Sequence, residues 1–197
     1  MTHLIRILTL LLIALAVAVT VTSAQSRLEA GLLLGGNRYA SGYSESRIGG
    51  YGRVDALLAK RFGLVGDLSL ARARKQFGSA LLVAGEVNLR WYASERLRWY
   101  ALSGARGSYS RAFGGKGGVS AVVGVGRTWD VWEAQTVYEL PDSSENRVQM
   151  VRVDLARQLG PLVVRGSVGP FWFNAPHDPG GARSGLHAEI RVGVTIR

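Results

Sequence analysis

The sequence predicts an all-β protein, a closed antiparallel up-and-down transmembrane β-barrel of about ten strands. Three observations predict this fold. After the first 24 residues, apolar side chains fall on every second position in almost every segment, which is the period of a β-strand. Short connections alternate with longer, polar, Gly-rich ones. Aromatic residues gather near strand ends, where a transmembrane barrel places its two girdles at the lipid–water interfaces.

The amino-terminal segment, residues 1–24, predicts a cleaved signal peptide. Arg6 precedes an apolar run from Ile7 to about Val21, and the small residues TSA end at Ala24. An uncleaved membrane anchor is the alternative, although the run is short for a spanning helix. Residues 25–197 then form a single barrel domain, and the absence of cysteine from the chain excludes disulfides and thiolate metal sites.

Ten segments carry the alternation and are interpreted as strands. They are residues 28–39, 48–59, 64–72, 79–92, 99–113, 119–127, 131–140, 147–156, 162–173 and 185–197. Each strand needs about 9–11 residues to cross the apolar band of a membrane. Ten strands account for every alternating segment, whereas the alternative of eight leaves some unpaired. We expect the last strand to close the barrel by pairing with the first.

The apolar face of these strands is well defined. It carries Leu28, Ala30, Leu32 and Leu34 in the first strand; Val54, Ala56 and Leu58 in the second; Leu68 and Leu70 in the third; Leu81, Val83, Val87 and Leu89 in the fourth; Val119, Ala121, Val123 and Val125 in the sixth; Ala134 and Thr136 in the seventh; Val151, Val153 and Leu155 in the eighth; Leu162, Val164 and Val168 in the ninth; and Leu186, Ile190, Val192, Val194 and Ile196 in the tenth. In a membrane barrel this face contacts lipid. A soluble lipocalin-like barrel, the alternative, would turn it inward.

The opposite face predicts a charged lumen, because charges alternate with the apolar residues. The predicted lumen network comprises Arg53, Asp55, Asp67, Glu86, Arg90, Arg106, Glu133, Glu139, Arg152, Asp154, Arg165, Glu189 and Arg191. A selective pore would carry a ring of one sign. The near balance of acids and arginines therefore favours ion pairs that fill the interior, and a narrow water-filled passage remains the alternative.

Aromatic residues predict the two girdles. Those beside the short turns are Trp91, Trp99, Trp129 and Trp132, and those beside the long loops are Tyr39, Tyr109, Tyr138 and Trp172. A soluble core would place such residues in the middle of strands, where burial is greatest. Their position at the strand ends therefore favours the membrane barrel.

With signal, alternation, girdles and loop asymmetry together, the chain resembles the small outer-membrane β-barrel proteins of Gram-negative bacteria, the opacity-type or "outer membrane protein β-barrel domain" group. The resemblance covers the whole mature chain. It implies a place in the outer membrane and insertion by the outer-membrane insertion machinery. One departure is the carboxy terminus, because such barrels usually end in an aromatic residue and this chain ends in Thr195, Ile196 and Arg197.

Two polar features bear on ligands. The formal charge of +10 would suit nucleic acid, but export makes that partner improbable, and we predict none. Basic residues near the predicted extracellular loops, Arg74, Lys75, Arg111 and Lys116, predict contacts with lipopolysaccharide phosphates; a merely solvated rim is the alternative.

His187 and Glu189 point the same way on one strand, and this pair raises the question of catalysis. They lie about 7 Å apart, too far for one to orient the other directly, and no nucleophile motif accompanies them. We therefore predict no catalytic residues, no metal and no cofactor. The expected function is a structural or surface-interaction role, with the loop around Gly180 as its main surface. A small porin-like passive channel and a hydrolase or acyltransferase using His187 are the alternatives.

Overall fold

The structure is a computed structural model that describes residues 26–75, 78–94, 98–110, 116–141, 148–173 and 184–196, without the side chains of Lys75 and Lys116. The predicted signal peptide therefore lies outside the described residues. In the described part of the chain, no helix is long and apolar enough to cross a membrane. The strands are β1 Ser26–Tyr39, β2 Ser44–Ala59, β3 Phe62–Lys75, β4 Gly78–Tyr92, β5 Trp99–Ser110, β6 Lys116–Trp129, β7 Trp132–Glu139, β8 Gln149–Leu159, β9 Leu162–Trp172 and β10 Ser184–Ile196.

The ten strands form one closed antiparallel barrel, as the sequence predicted. Each strand pairs with its neighbours in the chain, and β10 returns to pair with β1 from Leu28↔Ile196 to Tyr39↔Gly185. The predicted closing pair is thus confirmed, and the eight-stranded alternative is wrong. We call the end where β1 begins and β10 finishes the terminal end, and the opposite end the loop end.

The connections depart from the predicted strict alternation of short and long. Three tight turns at the terminal end, residues 60–61, 130–131 and 160–161, fit it, and Asp130 (φ 46°) and Gly160 (φ 63°) supply left-handed backbone for two of them. At the loop end, however, β3 and β4 are joined by only residues 76–77, while residues 93–98 make a longer connection at the terminal end. Residues 73–75, two of them basic, follow the predicted end of the third strand and suggested a loop. They in fact continue β3, because the pairing of β3 with β4 extends to Lys75↔Gly78.

The two faces of the barrel differ in the sense expected for a membrane protein. Leu32 is 70% exposed on the outside, whereas the next residue, Leu33, is 1% exposed on the inside. Exposed apolar side chains recur on the outer face of all ten strands, among them Ile48, Val125 and Ile190. Val54 and Ala56 share this face by alternation but are buried. The arrangement is the reverse of the soluble-barrel alternative, which would bury its apolar face.

Candidate functional site

The lumen is the candidate site, and strand alternation places charges in it. Every strand pairs antiparallel with two neighbours, so one residue in two points inward along its whole length. The structure brings all thirteen predicted lumen residues into ion pairs with one another or with further lumen residues. These pairs form three clusters that are joined by further contacts.

The cluster nearest the terminal end is centred on Glu133 of β7. Its carboxylate pairs with Arg90 of β4, with Arg165 of β9 at 3.3 Å and with Arg53 of β2 at 3.7 Å. Arg90 also pairs with Asp55 at 3.1 Å. One carboxylate thus links arginines from three separate strands, which ties opposite walls of the barrel together.

Glu29 extends this cluster and was missed by the sequence analysis. Arg165 binds it through two parallel hydrogen bonds, Nε to Oε1 at 3.0 Å and Nη2 to Oε2 at 2.8 Å, and the Tyr51 hydroxyl donates to Oε1 at 2.5 Å. Such a two-point contact is the strongest geometry for an arginine–carboxylate pair. Alternation could have identified Glu29, since it lies between the outward residues Leu28 and Ala30.

The central cluster is built around Arg152 of β8. Its Nη2 lies 2.7 Å from both carboxylate oxygens of Glu86, its Nη1 lies 2.6 Å from Glu139, and its Nε lies 3.1 Å from Asp154. Arg106 adds a second cation, 2.5 Å from Glu139 and 3.9 Å from Glu86. Three buried or half-buried acids therefore share two arginines.

Arg191 of β10 forms the third cluster. It pairs with Asp67 at 2.7 Å and with Glu189 at 2.5 Å. Arg53 lies 4.0 Å from Asp67 and so links this cluster to the one around Glu133. The Arg191 and Glu133 clusters are therefore connected. Most of the ion pairs join different strands, whereas Glu189 pairs with Arg191 of its own strand.

Gln135 joins the terminal-end cluster to the central one. Its amide nitrogen donates to Asp154 at 2.7 Å, and its amide oxygen lies 3.1 Å from the Tyr100 hydroxyl, which also lies 2.9 Å from Glu133. Ser167 donates to the other Asp154 oxygen at 2.6 Å. These neutral groups satisfy carboxylate lone pairs that the arginines leave open.

Apolar side chains fill much of the remaining lumen. Tyr100, Leu102, Val122 and Val137 pack together on the β5–β7 wall, and Leu33 packs with Tyr51 and Ala71 on the β1–β3 wall. These clusters were not predicted from the sequence, which indicated a lumen lined by charges, because inward apolar residues do not stand out from an already apolar sequence. Apolar packing of this kind lowers the local polarity and so strengthens the neighbouring ion pairs.

At least two cavities remain open among the described residues. One, of about 80 Å³, lies at the centre between the Arg152 and Arg191 clusters. The other, of about 210 Å³, lies at the loop end, with Phe171 and Phe173 on one side and Glu45, Arg47 and His187 on another. Glu45 and Arg47 pair at 2.7 Å, and both were missed because β2 begins at Ser44 rather than at residue 48.

His187 takes a structural position at the loop end. It is 3% exposed, and its Nδ1 lies 3.0 Å from the side-chain amide of Asn37 on β1. When the Asn37 amide is oriented with its oxygen toward Arg47, its nitrogen donates to His187 Nδ1. Glu189, the acid two residues along the same strand, accepts a hydrogen bond from Arg191 instead of one from the imidazole. Among the described residues, no group of three or more His, Cys, Asp or Glu is placed to hold a metal ion.

Seven of the eight residues predicted for the girdles lie on the outer face. Trp91, Trp99, Trp129 and Trp132 lie near the terminal end, and Tyr109, Tyr138 and Trp172 lie near the loop end. Tyr39 is the correction. It shares the face of Glu29, ten residues earlier on β1, and packs inside the mouth with its ring centroid 5.4 Å from Phe171 and 6.1 Å from Phe173.

Of the four cations predicted to contact lipopolysaccharide, Arg74 is described in full. It is exposed near the loop end of β3, two residues after Arg72, which is also exposed. Lys75 and Lys116 are strand residues whose side chains lie outside the description. Arg111, together with the loop around Gly180, lies outside the described residues.

Fold and lumen together define the class of protein: a closed ten-stranded β-barrel with an apolar outer face and an ion-paired interior. Neither a protein-family model nor a curated protein matches the chain, and the opacity-type family is not confirmed.

Solved structures with which the chain aligns are outer-membrane barrels. They are the translocator domain of the autotransporter NalP from Neisseria meningitidis (13% identity, 92% of each chain, TM-score 0.46), the beta domain of the Bordetella autotransporter BrkA (13% identity, 85% of this chain and 99% of that one, TM-score 0.44) and the outer membrane protein OprG from Pseudomonas aeruginosa (9% identity, 89% of this chain and 98% of that one, TM-score 0.36).

Proposed function

We propose that the chain is an integral outer-membrane β-barrel with a structural and surface-interaction role, whose lumen is closed by its ion-pair network. The observation that carries the proposal is the inversion of the two faces. Large apolar side chains are exposed outside, whereas Glu29, Arg90, Arg152 and Glu189 are buried inside. Water would penalise such an exterior by about 25 cal/mol per Å² of apolar surface, and lipid removes that cost.

The closed sheet supports a membrane location independently. Lipid offers backbone groups no hydrogen-bond partners, so a spanning sheet must pair every strand on both edges. The β1–β10 pairing provides this closure. Trp91, Trp99 and Trp129 on the outer face at the terminal end supply rings of the type that anchor a barrel at the interface. Barrels of this form belong to outer membranes.

The way in which the lumen charges are held supports a closed lumen. The side chains of Arg90 and Arg152 are 2% and 8% exposed, and each is paired with at least two carboxylates. Passage of an ion through the barrel would have to separate several of these pairs. Leaving a buried charge without its partner costs about 3–5 kcal/mol, which is a strong barrier to opening.

A passive channel is the second candidate, and the cavities favour it. The central and loop-end cavities share Ser69, Arg106, His187 and Glu189 in their linings, so the two cavities are adjacent and together reach from the loop end to the middle of the barrel. The Glu133 cluster lies between this space and the terminal end. Conduction would require that cluster to move.

Two measurements test the proposal. The mature chain should remain with membranes under alkaline extraction and should migrate faster on gels before heating than after. In planar bilayers the native protein should show no steady open-channel steps. Replacing Arg90 and Glu133 together by serine should produce such steps, because it removes the central pair of the terminal-end cluster without changing net charge. Serine at Lys60 and Asp130, two exposed turn residues of opposite charge at the same end, is the matched control.

Each outcome has a separate consequence. Release of the mature chain as a soluble protein would refute the membrane assignment. Steady, ion-selective steps from the native protein would refute the closed lumen and support the channel. Equal conductance from the two serine variants would show that the terminal-end cluster does not close the barrel.

The surface role that we propose includes lipopolysaccharide. Arg72 and Arg74 are exposed on the outer face at the loop end, where phosphates of that lipid would lie. Reversing the charge of Arg74, Lys75 and Lys116 should reduce the amount of lipopolysaccharide that co-purifies with the barrel. An unchanged amount in a variant that still shows the heat-dependent gel shift would contradict this part of the proposal.

A further inference from the structure

The outer face of β5–β8 at the terminal end carries two arginines that lie over tryptophan rings. The guanidinium carbon of Arg127 lies 5.3 Å from the centroid of Trp99, and that of Arg157 lies 4.9 Å from the centroid of Trp132. Both contacts join residues that face each other across paired strands, Trp99↔Arg127 and Trp132↔Arg157. The register therefore builds the contacts into the fold.

These two arginines differ from those of the lumen in how their charge is used. Arginines such as Arg90, Arg152 and Arg165 are neutralised by carboxylates. Within the described ranges, neither Arg127 nor Arg157 forms an ion pair, and both are exposed. An aromatic face orients a guanidinium without cancelling its charge, so the planar donors remain free for an external anion.

The surroundings specify the kind of anion. Trp99 is 45% exposed and Trp129 37%, and Trp129 pairs with Trp132 across the β6–β7 turn. Exposed tryptophans in a membrane protein lie at the level of the lipid headgroups, where phosphates are the available anions. Arg127 and Arg157 lie on strands separated only by β7, which places their backbones about 10 Å apart across the sheet. Ala134, the partner of Arg127 on β7, carries only a methyl group and leaves the outer face shallow beside the arginine.

We propose that Arg127, Arg157, Trp99 and Trp132 form a binding site for an anionic phospholipid headgroup at the terminal end of the barrel. The guanidinium groups bind the phosphate, and the tryptophan rings pack against the glycerol and upper acyl region. Among the described residues, Asp130 at the tip of the β6–β7 turn is the exposed acid nearest to these four residues in sequence, and Arg98, which precedes Trp99, is an exposed cation at the same end. The inference rests on the membrane location proposed above.

The test measures lipid preference with the whole mature barrel. The protein is purified in neutral detergent, and binding of phosphatidylglycerol and phosphatidylcholine of identical chains is measured by native mass spectrometry. The native protein should prefer phosphatidylglycerol. Since each basic residue near a membrane surface accounts for about a fivefold change in affinity, replacing both Arg127 and Arg157 by Gln should lower this preference by about 25-fold.

The matched control removes the same charge from the same end. Replacing Lys60 and Arg61, exposed residues of the β2–β3 turn, by Gln should change the preference less than twofold. Free glycerol phosphate should compete weakly, because it lacks the acyl region that the tryptophans contact. High salt, about 1 M, should reduce the preference, since it shortens electrostatic reach to about 3 Å.

Several results would overturn the site. An equal loss in the two double variants would assign the preference to general rim charge, and full competition by glycerol phosphate would indicate a site for a free phosphate. If the native barrel is a dimer and replacing Arg127 and Arg157 dissociates it, the patch would be a self-association surface. A native barrel that inserts into phosphatidylcholine vesicles but shows no preference refutes only this inference, whereas one that inserts into no vesicle refutes the proposed function.

Discussion

Arg152 holds the densest group of acids in the lumen, and replacing it by Met should destabilise the barrel by about 3 kcal/mol. The change leaves Glu86, Glu139 and Asp154 close together, with Arg106 as the remaining cation of that cluster. Removing one partner of a buried ion pair costs about 3–5 kcal/mol. We place the loss at the lower end because Arg106 still contacts two of the acids and the central cavity of about 80 Å³ lies beside them.

The measurement is equilibrium urea unfolding in phospholipid vesicles, followed by tryptophan fluorescence. The slope of the unfolding free energy against urea concentration should be the same in all variants, which checks that unfolding remains two-state. Arg157→Met is the matched control. It removes the same side chain from the outer face of the same strand, where the guanidinium contacts a tryptophan ring rather than carboxylates, and should cost less than about 1 kcal/mol.

A second variant separates the charge effect from lost packing. Adding Glu86→Gln to Arg152→Met should recover about 1 kcal/mol or more, because it removes one of the stranded acids, although Glu86→Gln alone should destabilise the native protein. Such coupling is expected for residues in one network. If the two arginine variants lose equal stability, or if the Glu86 and Arg152 changes are simply additive, the account of the lumen as a charge-balanced network is refuted.

Two further predictions use the same unfolding assay. Leu32→Arg places a charge in the middle of the outer face of β1 and should cost about 2–4 kcal/mol, whereas Leu28→Arg, near the rim of the same strand, should cost about 0–1 kcal/mol; equal costs would contradict a lipid-facing surface. Gly126→Ala should cost about 1–3 kcal/mol, because the added Cβ would lie 2.4 Å from the Tyr100 ring, and Gly166→Ala, with open space within 4 Å, should have little effect. If Gly126→Ala costs no stability, the Tyr100 ring must be able to move away from the added methyl group.

Much of the architecture could be predicted from local pattern. The ten strands, their order and the closing pair are confirmed, because period-two alternation is a property of each segment by itself. Two predictions were wrong: the position at which β3 ends and the face on which Tyr39 lies. Arg72 and Arg74 made a strand end resemble a loop, although β3 continues to Lys75 and only residues 76–77 separate it from β4. Tyr39 was assigned to the girdle from its position near a loop, although its parity with Glu29 points it inward.

The site was predictable only as a set of residues. Alternation indicated which charges face the lumen, and it could have added Glu29, which lies within the predicted first strand between the outward residues Leu28 and Ala30. Alternation could not show which arginine binds which carboxylate. Arg165 and Glu29 are separated by 136 positions, and Arg152 and Glu86 by 66. The partners meet because the barrel has a particular register and a lumen narrow enough for side chains on opposite walls to touch.

The sequence alone therefore predicted the ten strands, the face of most strand residues and the surplus of apolar surface on one side, since these depend on neighbours along the chain. Only the tertiary structure decided which carboxylate each arginine binds, how apolar clusters share the lumen with the charges, and that Arg127 and Arg157 lie over tryptophan rings. The physical reason is that such contacts depend on barrel closure and strand register, which bring together residues that are distant in the chain.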